Sequence, residues 1–239
     1  MSKRVSVAMA VCNGELYIKE QVNSVVSQLG DGDELVISID PSKDASEAII
    51  SALASQDDRI RVLKGPGQGV IKNFETILKH VDGEYIFLAD QDDIWVKDKM
   101  KICLGELKKT DIDMVVHDAI IVDEGLQPIS GSFFNGEFYS GVWKNILKNR
   151  YIGCCMAFKK KLLSAALPFP RKLPMHDQWL GLVAAKTGSV LYIDKPLILY
   201  RRHQKTLTGN KRSNIITIIK WRFNITSAYL KLCAKRNKA

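Results

Sequence analysis

The sequence has no apolar run near the roughly 20 residues needed to cross a bilayer; its longest, such as Val5–Val11 and Leu35–Ile39, are strand-length. Its five cysteines are odd in number and lack C-x-x-C spacing, which argues against a zinc or disulfide framework and fits free thiols in a reducing cytoplasm. There is no internal repeat, no low-complexity segment, no G-x-S-x-G elbow and no Cys/His nucleophile arrangement. The loop Gly67-Gln68-Gly69-Val70-Ile71-Lys72 fails as a dinucleotide fingerprint, because Lys72 stands where the third glycine belongs. It also lacks the Gly-Lys-Ser/Thr of a P-loop. Ser2-Lys3-Arg4 before Val5–Val11 makes too short a leader, and Cys12-Asn13-Gly14-Glu15 is no cleavage site, so a first strand is expected there. Finally, no acidic residue follows Asp194. That end carries 12 of the 35 Lys and Arg, leaving 23 against 26 Asp and Glu before it, a net of −3. A basic end on a mildly acidic body suggests an anionic partner: phosphate, nucleic acid or lipid head groups.

With 46% hydrophobic and 26% charged residues in 239, the chain is an ordinary globular protein with a sizeable core. Strand and helix signals alternate through the first half, the pattern of a βαβ sheet. Strands are expected at Val5–Val11, Leu35–Ile39, Ile60–Leu63, Tyr85–Ala89 and Met114–Val122, and helices at 16–29, 44–54, 70–81 and 96–109. Asp44 and Glu47 suggest a capping-box start for the second helix. From 127 to 142 glycines and aromatics suggest a variable loop. Beyond it a strand is expected at 153–158, helices at 160–166 and 177–186, and two strands at Val190–Ile193 and Leu197–Tyr200. Residues 214 to 235 read as one amphipathic helix, with Lys220, Asn224, Ser227 and Lys231 as a polar stripe and Ile215, Ile218, Ile219, Ile225 and Tyr229 mostly opposite.

Chemistry concentrates in Asp90-Gln91-Asp92-Asp93-Ile94-Trp95, directly after the apolar Tyr85–Ala89. Three carboxylates in four residues repel and raise one another's pKa unless a cation sits among them. A hard divalent cation on oxygen ligands meets that need, and the carboxyl end of a sheet strand is where ligands bind. The plain alternative is a solvated loop. Asp90 and Asp92 are the expected working pair and Asp93 a helix cap. Asp40 also stands at a strand end, where it could accept a hydrogen bond from a ribose hydroxyl or a base imide. Asp177, before an apolar helix, is either an N-cap or a general base whose pKa burial must lift against the helix dipole. His203 is either a surface histidine or a group facing a diphosphate and metal.

Together these segments resemble the family 2 glycosyltransferases over about residues 3–205. Val5 to Glu15 is similar to the family's opening strand and loop. Ile39-Asp40-Pro41-Ser42-Lys43-Asp44-Ala45-Ser46 resembles its base- and ribose-binding segment, departing at Ile39 and Pro41, and Lys72-Asn73 resembles a nucleotide-proximal Arg-Asn. Ala89 to Trp95 resembles the metal signature of bacterial rhamnosyltransferase-like surface-polysaccharide transferases, His176-Asp177-Gln178-Trp179 their His-Asp-x-Trp, and Tyr200-Arg201-Arg202-His203 their Tyr-Arg-x-His.

The resemblance implies an α/β GT-A fold: one Rossmann-like domain over 1–209 with a mostly parallel sheet, then a basic amphipathic helix over 210–239. It implies Asp177 as catalytic base; Val11, Asn13, Glu15, Asp40, Lys72, Asp90 and Gln91 as donor contacts; and Asp92 and His203 on Mn²⁺ or Mg²⁺. The implied activity is inverting transfer of a sugar from a nucleoside-diphosphate donor, dTDP-rhamnose or a UDP-hexose, to a hydroxyl of a lipid-linked surface glycan. The expected location is the cytoplasm. The basic helix either packs on the body with its lysines toward solvent, or makes peripheral contact with the inner face of an anionic membrane, with Trp221 and Phe223 inserted. Two other readings are weaker. A sugar-phosphate nucleotidyltransferase needs a glycine-rich basic loop after the first strand, and Cys12–Glu15 has none. A silent nucleotide-sugar-binding module does not need the Asp177 and His203 set. Nucleic-acid binding is not expected, since the basic end lacks the aromatic interleaving of a stacking platform.

Overall fold

The computed structural model describes residues 4–109, 111–203 and 214–236. The expected boundary between 209 and 210 lies outside them, as do Lys205, Lys211, Arg212 and Lys238. The described strands form one nine-stranded sheet, ordered β3-β2-β1-β4-β8-β6-β9-β5, with β7 pairing with β6 off this path. β1 (Val5–Val11), β2 (Glu34–Ile39), β3 (Ile60–Lys64) and β4 (Tyr85–Ala89) pair in parallel. β1, β2 and β4 are buried almost throughout, which is why they read as mainly apolar runs rather than alternations. Each valine, leucine or isoleucine they bury contributes about 1.5–3 kcal/mol, enough to fix them as the centre.

The intervening helices are α1 (Ile18–Val26), α2 (Ser46–Ala54) and α3 (Val70–Leu78). α3 lies against β1 and β2, and α1 against α2 and the two-residue β5 (Ile94–Trp95). Because the parallel strands run the same way, the loops after β1, β2, β3 and β4 gather at one sheet edge. That edge carries the site. The start of α2 differs from the capping box expected. Asp44 accepts the Ser46 N–H, and the Ala45 N–H goes to Glu15, not to Glu47.

Past β4 the sheet becomes mixed. α4 (Lys99–Leu107) leads to β6 (Met114–Val122), the short β7 (Pro128–Ser130) and α5 (Val142–Leu147). A 3-10 turn at Gly153–Cys155 precedes β8 (Met156–Lys159), which runs antiparallel to both β4 and β6. α6 (Leu163–Ala166) and α7 (His176–Thr187) follow, then β9 (Val190–Arg201), parallel to β6. β9 is one strand where two were expected. Asp194-Lys195-Pro196 looks like a turn, but the register shift opposite Asp118 lets Pro196 sit at an irregularity that needs no ladder donor. α8 (Ile215–Arg236) closes the described chain against α5 and α7. No described helix is long and apolar enough to cross a membrane.

Candidate active site

The turn after β4 is held from three sides. From α1, buried Gln21 donates its amide to the Asp90 carbonyl at 2.7 Å. From β9, the Arg201 backbone N–H donates to Asp93 Oδ1 at 3.1 Å, and its guanidinium Nε to the Asp92 carbonyl at 2.9 Å. The same guanidinium reaches the Glu124 carbonyl and the Glu20 carboxylate, and lies 4.5 Å from the Tyr17 ring centre. Asp93 is therefore not the helix cap expected. β5 intervenes, α4 starts only at Lys99, and the buried Asp93 carboxyl ties the turn to β9.

Burial sorts the three acids. Asp90 is pushed up to about 7, first by burial and then by the charges of Asp92 and Asp177. Asp93 rises well above the usual carboxylate range for the same first reason, with Asp92 and Asp90 adding to it. Asp90, Asp93 and the Cys154 thiol bring potential ligand atoms within 4.8 Å of one another. A buried thiol whose own pKa is raised is a poor partner for Mn²⁺ or Mg²⁺, which take oxygen. The Asp92 side suits such an ion better. His203 Nε2 is 2.9 Å from Asp92 Oδ2, and two neighbouring ligands at about 2.1 Å from an octahedral ion stand about 3 Å apart. The His203 ring also lies 5.0 Å from that of Tyr17.

The loops after β1 and β2 interlock beside this turn. The Val11 carbonyl accepts the Asp40 N–H, and the nearly buried Asp40 carboxylate accepts the Gly67 N–H at 2.9 Å. Gly65 is required there, because a Cβ would fall 2.4 Å from Asp40 Oδ1 and 2.7 Å from its backbone nitrogen. Asn13, at φ 52°, accepts the Lys43 N–H, and Glu15 accepts the Ala45 N–H, so both hold the α2 entry. The Gln91 amide accepts the Cys12 N–H at 2.9 Å and donates to the Cys12 carbonyl at 3.1 Å, joining the β1 loop to the acidic turn. Lys72, expected near the nucleotide, lies in the first turn of α3. It pairs with Glu75 one turn along α3, and that buried carboxylate also holds the Phe169 N–H.

Asp177 sits at the start of α7, 6% exposed. Its carboxylate accepts the Gln178 N–H at 2.6 Å, and bonds from Gly153 and Asn149 also favour the charged form. Burial outweighs them and lifts its pKa to about 6. The Asp177 charge in turn helps raise Asp90, so the two carboxyls are near enough to interact electrostatically. His176, stacked on Phe74 at 4.1 Å, is pushed down to about 3 by burial and stays neutral.

Residues 6–167 match the family described as Glycosyl transferase family 2. The chain belongs to glycosyl transferase family 2. This family 2 chain is 27% identical over 210 residues to the Escherichia coli UDP-Glc:alpha-D-GlcNAc-diphosphoundecaprenol beta-1,3-glucosyltransferase WfgD, covering 87% of this chain and 80% of that protein. It is 30% identical over 217 residues to the dTDP-rhamnosyl transferase RfbG of Shigella flexneri, covering 84% and 73%. Among solved structures, S. aureus TarS 1-349 in complex with UDP-GlcNAc superposes with a TM-score of 0.72 at 18% identity, over 96% of this chain and 66% of that one. Without a ligand the same fragment gives 0.67 at 20%, and there the glycosyltransferase spans only 60% of its length. Pyrobaculum calidifontis PcManGT, in complex with GDP-Man and Mn2+, gives 0.63 at 15% identity, over 98% and 76%. The protein is thus a glycosyltransferase with the GT-A fold.

Within this glycosyltransferase the structure gathers Val11, Asn13, Glu15, Asp40, Asp90, Gln91, Asp92, Asp177 and His203 on one edge, and turns Lys72 to Glu75. Sequence reasoning missed Tyr17, Gln21 and the clamp made by Arg201. Nothing in Tyr200-Arg201-Arg202 distinguishes the buried arginine from the exposed one, since the strand's twofold alternation says which face each takes but not which face is covered.

Proposed function

We propose that the protein transfers a sugar, with inversion, from a nucleoside-diphosphate donor to a hydroxyl of a surface glycan carried on lipid. The observation that carries this is the placement of Asp177. It is a buried carboxyl at the start of α7 with its pKa lifted to about 6, within electrostatic reach of Asp90 in the acidic turn. That value puts it in its basic form at neutral pH while keeping appreciable proton affinity, the compromise general-base catalysis needs. Asp177 takes the proton of the acceptor hydroxyl, whose oxygen attacks the anomeric carbon as the bond to the diphosphate breaks. One base opposite one leaving group gives inversion in a single displacement, whereas a double displacement would need a second carboxyl as nucleophile.

Asp40 and the β1 loop, locked by Gln91, form the floor for base and ribose. Asp90 lies where the ribose or sugar hydroxyls would reach. Asp92 with His203 would hold Mn²⁺ or Mg²⁺, which supplies charge neutralisation for the departing diphosphate. The relatives named for UDP-Glc and dTDP-rhamnose support a nucleoside-diphosphate donor. The relative named for a diphosphoundecaprenol-linked sugar supports a lipid-carried acceptor.

The test is a thermal-shift panel of UDP-, dTDP- and GDP-sugars with and without Mn²⁺, followed by transfer assays with the stabilising donor. One donor should raise Tm in a Mn²⁺-dependent manner. If none does, the reading is wrong. A donor that binds but is never transferred or hydrolysed would reduce the protein to a binding module.

A further inference from the structure

α8 has two apolar faces, not one. Ile225, Ala228 and Tyr229 are buried toward α5 and α7. The Tyr229 ring stands 6.2 Å from that of Trp143, and Arg222 donates to the Leu147 carbonyl at 2.8 Å. This corrects the single stripe expected from periodicity, because Ile215 and Ile219 do not share the packed face. Ile215, Ile219 and Phe223 fall at four-residue steps, with Ile216 beside them and Leu230 further on. At 3.6 residues per turn all five lie within an arc of about 100°, turned away from the buried three. They are 53–73% exposed, and α5 adds Trp143 and Leu147 at 61% and 62%.

Charge borders this apolar surface and is of one sign. Lys220 and Lys231 flank the α8 stripe on one side and Arg222 on the other, and α5 contributes Lys144 and Lys148. No acidic residue occurs between Glu137 and Asp177 or after Asp194. Two copies of such a face would set lysine against lysine, which disfavours self-association. An apolar stripe edged by Lys and Arg is the pattern of a helix lying in a membrane interface. We propose that the outer face of α8, with Trp143 and Leu147 of α5, docks the enzyme on an anionic lipid surface. α5 connects this face to the site: the Asn145 carbonyl accepts the Gln178 side-chain amide at 2.7 Å, next to Asp177. The docked face is thereby joined to the start of α7, which carries Asp177. The inference rests on the functional reading only for the acceptor being lipid-carried.

The experiment is co-sedimentation of the full chain with vesicles of phosphatidylcholine alone or with one quarter phosphatidylglycerol. Wild type should partition onto the anionic vesicles and be released by 0.5 M NaCl. Ile219→Asp/Phe223→Asp should lower partitioning about 100-fold, since two inserted apolar side chains are replaced by charges. Lys220→Ala/Lys231→Ala should lower it about twentyfold on anionic vesicles only. All four positions are exposed, so the variants should keep the wild-type Tm and the wild-type stabilisation by nucleotide sugar. No binding of wild type to anionic vesicles, or unimpaired binding of the Ile219→Asp/Phe223→Asp variant, overturns docking. So does a lipid-free dimer in sedimentation velocity that this variant dissociates. Lipid binding without any donor stabilisation would leave docking standing and remove the transferase reading instead.

Discussion

Arg201 is the residue whose replacement should reveal how the acidic turn is held. Its buried guanidinium donates to two carbonyls, those of Asp92 and Glu124, and to the Glu20 carboxylate, while its aromatic contact is with Tyr17. A charge-assisted bond of this kind contributes about 1.5–3 kcal/mol. The Glu20 carboxylate is 56% exposed, so that pair is screened and adds less than about 1 kcal/mol. Bonds made by one side chain are not additive, and Arg201→Ala is expected to cost about 3–4 kcal/mol, a fall in Tm of roughly 6–16 °C for a domain of this size. Arg201→Lys keeps the charge but cannot reach both carbonyls, and should cost about half as much. The decisive readout is the Mn²⁺ concentration for half-maximal transfer. Groups that orient metal ligands typically change affinity or activity 10–100-fold when replaced, so Arg201→Lys should raise this concentration at least tenfold while changing KM for the acceptor little. Glu20→Gln should change neither Tm nor metal dependence appreciably. An Arg201→Lys enzyme that folds with a lowered Tm and wild-type Mn²⁺ dependence would show that Arg201 only stabilises the fold.

Asp177→Asn should lower kcat by about 10²–10⁴ while leaving Mn²⁺-dependent stabilisation by the donor intact. In wild type, kcat/KM should rise about tenfold per pH unit below about 6 and level off above it, since Asp177 is protonated below its pKa; Asp90 interacts with it electrostatically and will broaden the profile. The folded state binds that proton more tightly than an unfolded aspartate near 3.9, so stability falls as pH rises from about 4 to 6, and Asp177→Asn should melt higher than wild type at pH 7.5, by up to about 3 kcal/mol. Gln91→Ala should raise KM for the donor about tenfold with a loss of only about 1–2 kcal/mol in stability, measured by denaturant unfolding, because its two bonds to Cys12 are partly open to water. Gly65→Ala drives a Cβ into the Asp40 backbone and should cost about 1–3 kcal/mol and weaken nucleotide stabilisation; full donor binding by this variant would separate Asp40 from the nucleotide floor.

The parallel half of the sheet was legible because β1, β2 and β4 are mostly apolar, interrupted only by Ser6, Glu34 and Ser38, and end in Gly, Asp or Pro turns. The second half was less so, for reasons of length and context. β5 and β7 have two and three residues, too short to show any period, and α5 has six. Asp194-Lys195-Pro196 carries every local mark of a turn and is overridden by pairing with β6. In the site, the residues that bear unpaired acids at strand ends could be read from chemistry, and their order along the chain matched the family. What could not be read is which polar side chains are consumed holding others. Gln21 and Arg201 look like ordinary surface residues, and Gln91 like a donor contact alone, until the partners they reach, 69 to 181 positions away, are known.

The acidic turn shows how one residue type acquires three roles within four positions. Asp93 points into the core and meets a backbone N–H, so its carboxyl can only join elements; a change there should disturb folding before chemistry. Burial dominates the pKa of Asp90, the charges of Asp92 and Asp177 add to it, and the Cys154 thiol and the Lys99 charge oppose them more weakly. With its pKa pushed up to about 7, Asp90 can hold a proton and donate a hydrogen bond as well as accept one. Asp92 is carried on the outer side of the turn, its carbonyl fixed by Arg201 and its carboxylate beside His203. Bringing a divalent cation to Asp92 would lower the proton affinity of Asp90 and, more weakly, of Asp177, since each of these carboxyls is raised partly by burial that a nearby positive charge offsets. Cation, donor contact and base are then linked through electrostatics in one cleft. On that account metal addition should move the apparent pKa of transfer downward, and a profile that stays in place from low to saturating Mn²⁺ would place the ion too far from Asp90 and Asp177 to act on either.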